Sequence, residues 1–236
     1  MAFGRRGRGA HRRSARAKID ATVPWDEPER VEAPPTSGPW DVADLPEDGV
    51  ERVDLGSLRI PIIEGVDVRV DVSPEGMIVA ATLSHAAGQM QVGVYAAPRT
   101  EGIWDEVRKE ILGSIASQGG TGQEVRGTFG KEITARLPVQ GGMQPARFVG
   151  VDGPRWFLRA LLTGPAATDP GRGSALEEAL RQTVVVRGDD PMPVRDPLPM
   201  QLPGDLAEQA AAQREKQARQ GQQETPSSNG ARPPVS

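Results

Sequence analysis

Two segments of this chain alternate with a period of two, and they constrain its fold more than any other feature. In the first, Val66, Val68, Val70 and Val72 are separated by Asp67, Arg69 and Asp71. In the second, Trp156, Leu158, Ala160 and Leu162 are wholly apolar, while Arg155, Phe157, Arg159 and Leu161 fall between them. Successive side chains of a β-strand point to opposite faces, so each pattern predicts a strand with one buried face. A chain built around such strands must cover that face with something else.

The neighbouring residues say with what. Ser73-Pro74-Glu75-Gly76 carries turn chemistry, and residues 77–83 return as a second strand. Met90, Val92, Val94 and Ala96 mark a third, ended by Pro98. Ile103, Trp104, Val107, Ile111, Leu112 and Ile115 then share one helical face, and Gly119-Gly120 closes that helix. Further along, 125–129 reads as a short strand and Ile133, Ala135, Leu137 and Val139 alternate in the next. Residues 144–151 and 155–162 flank Asp152-Gly153 as a hairpin. Pro154 cannot donate a hydrogen bond, which predicts a loop longer than two residues or an edge position, and leaves the face of Arg147 open. Ser174 and Glu177 form a capping-box pattern ahead of Leu176, Ala179, Leu180 and Thr183, and Val184–Val186 offers a last strand. The expectation is an α+β fold: antiparallel sheets, with two main helices packed on one face and strands followed by a helix in each half.

Charge and proline set the boundaries. Arg5, Arg6, Arg8, Arg12, Arg13, Arg16 and Lys18 are followed by an acidic stretch from Asp20 to Asp54 that is punctuated by prolines. Such segments bury too little apolar surface to offset their ordering entropy, so 1–38 is expected to be a disordered tail. The single α+β domain is then expected over 39–203. It ends in a strap with prolines at 191, 193, 197, 199 and 203, from which Met192, Val194, Leu198, Met200 and Leu202 can press on the core. The alternative for that strap is a proline-rich ligand for a partner. Residues 204–236 are Gln/Ala-rich and are expected to be a second disordered tail. The arginines of the first tail can meet nucleic acid or an anionic surface, or can simply remain solvated beside the acidic stretch.

Composition excludes several chemistries. There is no cysteine, and the two histidines are His11 in the basic tail and His85 in a turn-like stretch. Thiolate catalysis and cysteine or histidine zinc sites are therefore out of reach, and His85 has no nucleophile motif beside it. Gly130-Lys131 is followed by Glu132, which fails a phosphate-binding loop, and Gly171-Arg172-Gly173 lacks the third glycine of a dinucleotide fingerprint. No catalytic residue, metal ligand or cofactor is assigned. No apolar run is long enough to span a membrane, and no apolar stretch follows the basic start as in a signal peptide. The expected location is the cytoplasm, and the oligomeric state stays open.

The candidate partner-binding residues are Arg155, Phe157 and Arg159, with Arg99 and Asp152. Two arginines flanking an aromatic can hold a phosphate or carboxylate while the ring stacks on a planar group. The same arginines can equally pair with acidic residues of the protein and shield Phe157 with their stems. Arg99 follows a strand end near a helix start, where an anion can sit. Four motifs carry a resemblance: D-L-G-S-L-R-I-P (54–61), A-A-P-R-x-x-x-I-W (96–104), V-G-V-D-G-P-R-W-F-L-R (149–159) and V-V-V-R-G-D (184–189). Over residues 38–203 the chain resembles an actinobacterial family known only as a domain of unknown function, which implies no activity or site residue. The functional expectation is a non-catalytic cytoplasmic binding or adaptor protein that engages an acidic protein segment or nucleic acid. One alternative is an enzyme acting on a phosphorylated small molecule or nucleotide, with Arg99, Arg155 or Arg159 as anion clamps and Asp152 as base or metal ligand. That alternative requires Asp152 and two of the arginines in one pocket. A secretion-chaperone-like role is the other, resting on fold analogy alone.

Overall fold

The computed structural model describes residues 38–73 and 77–204. The basic arm with its six arginines, the turn at 74–76 and the tail beyond 204 lie outside the described residues, as does the disorder expected of the two ends. Three short strands come first: β1 (Trp40–Asp41), β2 (Arg52–Asp54) and β3 (Leu58–Pro61). Then follow β4 (Asp67–Val72), β5 (Ile78–His85), β6 (Gly88–Ala96) and helix α1 (Trp104–Ser117). The second half holds β7 (Thr121–Gly127), β8 (Gly130–Val139), β9 (Gly142–Gly153) and β10 (Trp156–Thr163). A 3₁₀ turn at Pro165–Ala167, helix α2 (Pro170–Gln182) and β11 (Val184–Val185) complete it.

Seven strands form one antiparallel sheet in the order β4-β5-β6-β10-β9-β8-β7, and the short strands form a second in the order β1-β11-β3-β2. The alternation in β10 divides the interior in two. Trp156, Leu158, Ala160 and Leu162 join Leu58, Ile60, Leu176, Leu180 and Val185 in one core. Phe157 joins Trp104, Ile115 and Ile133 in another. Adjacent residues of one strand point to opposite faces, so α2 and the small sheet cover one side of the large sheet and α1 covers the other. The sheet-rich α+β class holds, but the expectation of both helices on one face does not. A strand apolar on both faces needs cover on both, and Phe157 and Leu161 supplied that second apolar stripe.

Local sequence explains the helix ends. The Gly119 and Gly120 amides donate to the Ala116 and Ile115 carbonyls at 3.1 and 2.9 Å, with Gly119 at φ 79°, the left-handed close that glycine tolerates best. Helix α2 starts earlier than the capping-box pattern implied. Asp169 caps it, accepting from the amides of Gly171 at 2.9 Å and Arg172 at 3.3 Å, with Pro170 at the first helical position. Glu177 is thereby left for another role, described below.

The proline-rich segment runs beside β6 as a strap. Asp196 accepts from the Ala96 amide at 2.9 Å, Arg195 donates to the Ala96 carbonyl at 2.8 Å, and Leu198 donates to the Val94 carbonyl at 2.9 Å. Leu198 and Met200 are buried and Met192 packs against the core, whereas Val194 is 49% exposed and contributes nothing to it.

Candidate functional site

The β9–β10 register pairs Trp156 with Gly153, so the hairpin loop is only Pro154 and Arg155. This corrects the longer loop expected from Pro154. In a two-residue loop the closing amide belongs to Trp156, and Pro154 has nothing to donate. Arg155 adopts φ 64°. With proline fixing a negative φ before it, a positive φ here defines a type II turn, whose second central position favours glycine. An arginine in that conformation costs on the order of 1–3 kcal/mol. Arg155 therefore lies outside the alternation of β10, not on the face of Phe157 and Arg159 as the pattern suggested.

Its surroundings show what holds it. The Arg155 carbonyl accepts from the Ala97 amide at 2.9 Å and from Arg187 Nε at 3.1 Å, while its own Nη2 donates to the Gly188 carbonyl at 2.6 Å. These bonds join the hairpin tip, the end of β6 and the segment after β11 around a cleft of about 300 Å³. Arg99, Arg155 and Arg187 line it together with Asp189 and Asp190, and Ala97, Pro98, Pro191 and Met192 supply its apolar part.

Among the described residues, no carboxylate oxygen lies within 4.0 Å of any of these three guanidiniums. Arg187 Nη1 donates instead to the main-chain carbonyl of Asp190 at 3.1 Å. Burial, and then the charge of Arg155, hold the Arg187 guanidinium below its ordinary value. Three cations with no carboxylate in direct contact, although Asp189 and Asp190 line the same cleft, keep donors free for an anion from outside. Arg187 was missed as a site residue, although it stands in the V-V-V-R-G-D motif directly after the last strand.

The other candidates lie elsewhere. Phe157 is 2% exposed, stacked on Trp104 at 5.8 Å and tilted against Tyr95 at 6.2 Å, so it faces the protein and not a partner. Arg159 lies over the Tyr95 ring at 5.3 Å and donates through Nη2 to its hydroxyl at 3.0 Å. Trp104 in turn covers Gly150, where any Cβ would run into its ring, and donates through Nε1 to the Lys131 carbonyl at 2.6 Å.

Asp152 caps α1 from a neighbouring strand. Its Oδ1 accepts from the Ile103 amide at 2.8 Å, and Oδ2 accepts from the Trp104 amide at 3.2 Å. Burial raises its carboxyl above the ordinary value against the pull of those two amides. It does not line the arginine cleft. In this cleft, then, Asp152 does not join the arginines as the enzyme alternative requires. Asp152→Ala is expected to cost about 1 kcal/mol, the usual value of a lost helix cap. Thermal melts would check this, and anion binding at the cleft should be unchanged.

A second ionic cluster lies wholly inside. Arg147, whose face was undecided, points to α2, with its Nη2 at 2.6 Å from Glu177 Oε1 and its Nε at 3.1 Å from Glu132 Oε2. Thr128 Oγ1 donates to Glu177 Oε2 at 3.1 Å, and the Phe129 amide donates to Glu132 Oε1 at 3.0 Å. Burial holds the Glu132 carboxyl above its ordinary value. One cation between two carboxylates, fully enclosed, clamps strand to helix and is not open to a ligand. Among the described residues no group of three or more histidine, cysteine or acidic side chains could hold a metal ion, and no helix is long and apolar enough to cross a membrane.

Comparison with known proteins places the chain by family. A family model described as a protein of unknown function (DUF3710) matches residues 38–209, six residues beyond the end suggested by the motifs. The chain belongs to that family. No curated protein matches it. Among solved structures it is similar to cyanobacterial PsbP (CyanoP) from Synechocystis sp. PCC 6803, with 14% identity, a TM-score of 0.40, and coverage of 58% of this chain and 92% of that one.

Proposed function

We propose that this protein is a non-catalytic binding or adaptor protein of the cytoplasm that engages an anionic partner through the cleft of Arg99, Arg155 and Arg187. The observation that carries this reading is the gathering of three guanidiniums with no carboxylate partner among the described residues. Proteins neutralise arginine clusters where they serve structure alone, as Arg147 is neutralised here by Glu132 and Glu177. Three guanidiniums brought together at the surface, one of them on a strained turn, concentrate positive charge that a bound anion would neutralise.

Fluorescence anisotropy of the full-length chain with a labelled single-stranded oligonucleotide and with a labelled Asp/Glu-rich peptide tests this. Binding of at least one should fall about tenfold or more in Arg155→Ala/Arg187→Ala, the scale of one lost charge-assisted hydrogen bond. It should also weaken as salt rises. If nucleic acid is the partner, removal of residues 1–18 should weaken binding as well. Binding indifferent to both arginines would defeat the proposal.

A further inference from the structure

The geometry points to a small phosphate monoester, bound as its dianion, as the ligand of the arginine cleft; this rests on the reading of that cleft as an anion site. The number of donors is the first reason. A carboxylate is planar, carries one charge and offers two oxygens in one plane, which the fork of one guanidinium matches. A terminal phosphate offers three oxygens and close to two charges, which suits three guanidiniums from three separate segments.

The second reason is what the cleft already declines. Asp189 and Asp190 line it, yet neither carboxylate comes within 4.0 Å of Arg99, Arg155 or Arg187. Arg187 takes the Asp190 main-chain oxygen instead. Carboxylates tethered beside the arginines and still unpaired with them mark a centre shaped for a different anion. They also put negative charge in the lining of the cleft, which an extended polyanion would meet over more of its length. A compact dianion in contact with all three cations avoids that repulsion.

Size and lining give the third reason. About 300 Å³ is at the small end of ligand pockets and larger than a bare phosphate needs. Pro98, Pro191 and Met192 can cover the organic part of an ester without any specific polar contact. Arg155 is the keystone, since its carbonyl holds Arg187 and its guanidinium holds Gly188. The strained turn thus positions two of the three cations at once.

Calorimetric titration of the full chain at constant ionic strength tests this with four probes: adenosine 5′-monophosphate, inorganic phosphate, a dinucleoside phosphodiester and succinate. The monoester should bind most tightly, inorganic phosphate more weakly, and the diester and succinate least. Between pH 7.5 and 5.5 monoester affinity should fall about fourfold, because a phosphate monoester takes its second proton near pH 6. Arg187→Ala and Arg99→Ala should each weaken the monoester about tenfold or more. Arg155→Gly supplies a variant suited to the turn in case an alanine variant folds poorly. Equal affinity for monoester and inorganic phosphate would overturn the ester. A pH-independent affinity, or binding no tighter than that of succinate, would overturn the phosphate. If the oligonucleotide or acidic peptide binds through the arginines and the monoester cannot displace it, this inference fails and the broader reading stands. If no anion depends on the arginines, both fail.

Discussion

Arg155→Gly is expected to fold about as stably as the natural chain while losing most of its affinity for anions, and Arg155→Ala is expected to lose that affinity and some stability as well. The difference lies at φ 64°. Alanine keeps the same strained Cβ as the arginine and forfeits the bond from Nη2 to the Gly188 carbonyl, so it should be destabilised by about 1 kcal/mol. Glycine forfeits the same bond but removes the strain, roughly 1 kcal/mol in the other direction. Urea denaturation gives the stabilities and anion titration gives the affinities. Retained binding in Arg155→Gly would show that the side chain serves the fold alone. Arg195 provides the internal control. It too has a positive φ, 73°, but its guanidinium lies 2.8 Å from Glu106 and 3.0 Å from Glu110 on α1. Its strain is offset by the protein's own ion pairs, whereas Arg155 has no carboxylate to offset its strain.

Much of the large sheet was legible because alternation is a local property. Trp156, Leu158, Ala160 and Leu162 are all buried, as their spacing required. Phe157 was harder, because its burial depends on Trp104 arriving from another element. Parity read back from Trp156 placed Arg155 on the Phe157 face, but a turn residue with positive φ has left the strand and parity no longer applies to it. The small sheet was hidden by distance and composition. Trp40 and Asp41 pair in parallel with Val184 and Val185, and Asp41 accepts from Trp156 Nε1 at 2.7 Å, yet they stand in a stretch whose acidity suggests solvent. The cleft was half legible. Arg99 was named from its place after a strand end and Arg155 as one of two arginines flanking Phe157, while Arg187 joins them only through the pairing of β11, which no local pattern in its own motif announces.

Loss of Arg147 should be among the most damaging single changes in the core. Arg147 and Glu177 are each 6% exposed and Glu132 is 1% exposed, so none of the three can turn to water. Arg147→Ala leaves two facing carboxylates without a cation, and breaking a buried pair in this way costs about 3–5 kcal/mol. That is a large part of the roughly 5–15 kcal/mol that holds a domain together, so the variant should be partly unfolded at neutral pH and 37 °C. The loss should shrink as pH falls. Burial already raises Glu132 above its ordinary 4.5, and removing the arginine, whose charge lowers it, raises it further. A carboxyl whose folded value exceeds its unfolded value binds more protons in the folded state. The stability of the variant therefore rises as pH drops from neutrality toward 4.5, across the window set by that raised value. Urea denaturation of Arg147→Ala and the natural chain at pH 7 and pH 5 measures the difference. A gap that narrows at pH 5 identifies uncompensated charge as the cause. An equal gap at both would mean that the arginine stem contributes by packing between β9 and α2, and that its charge contributes little.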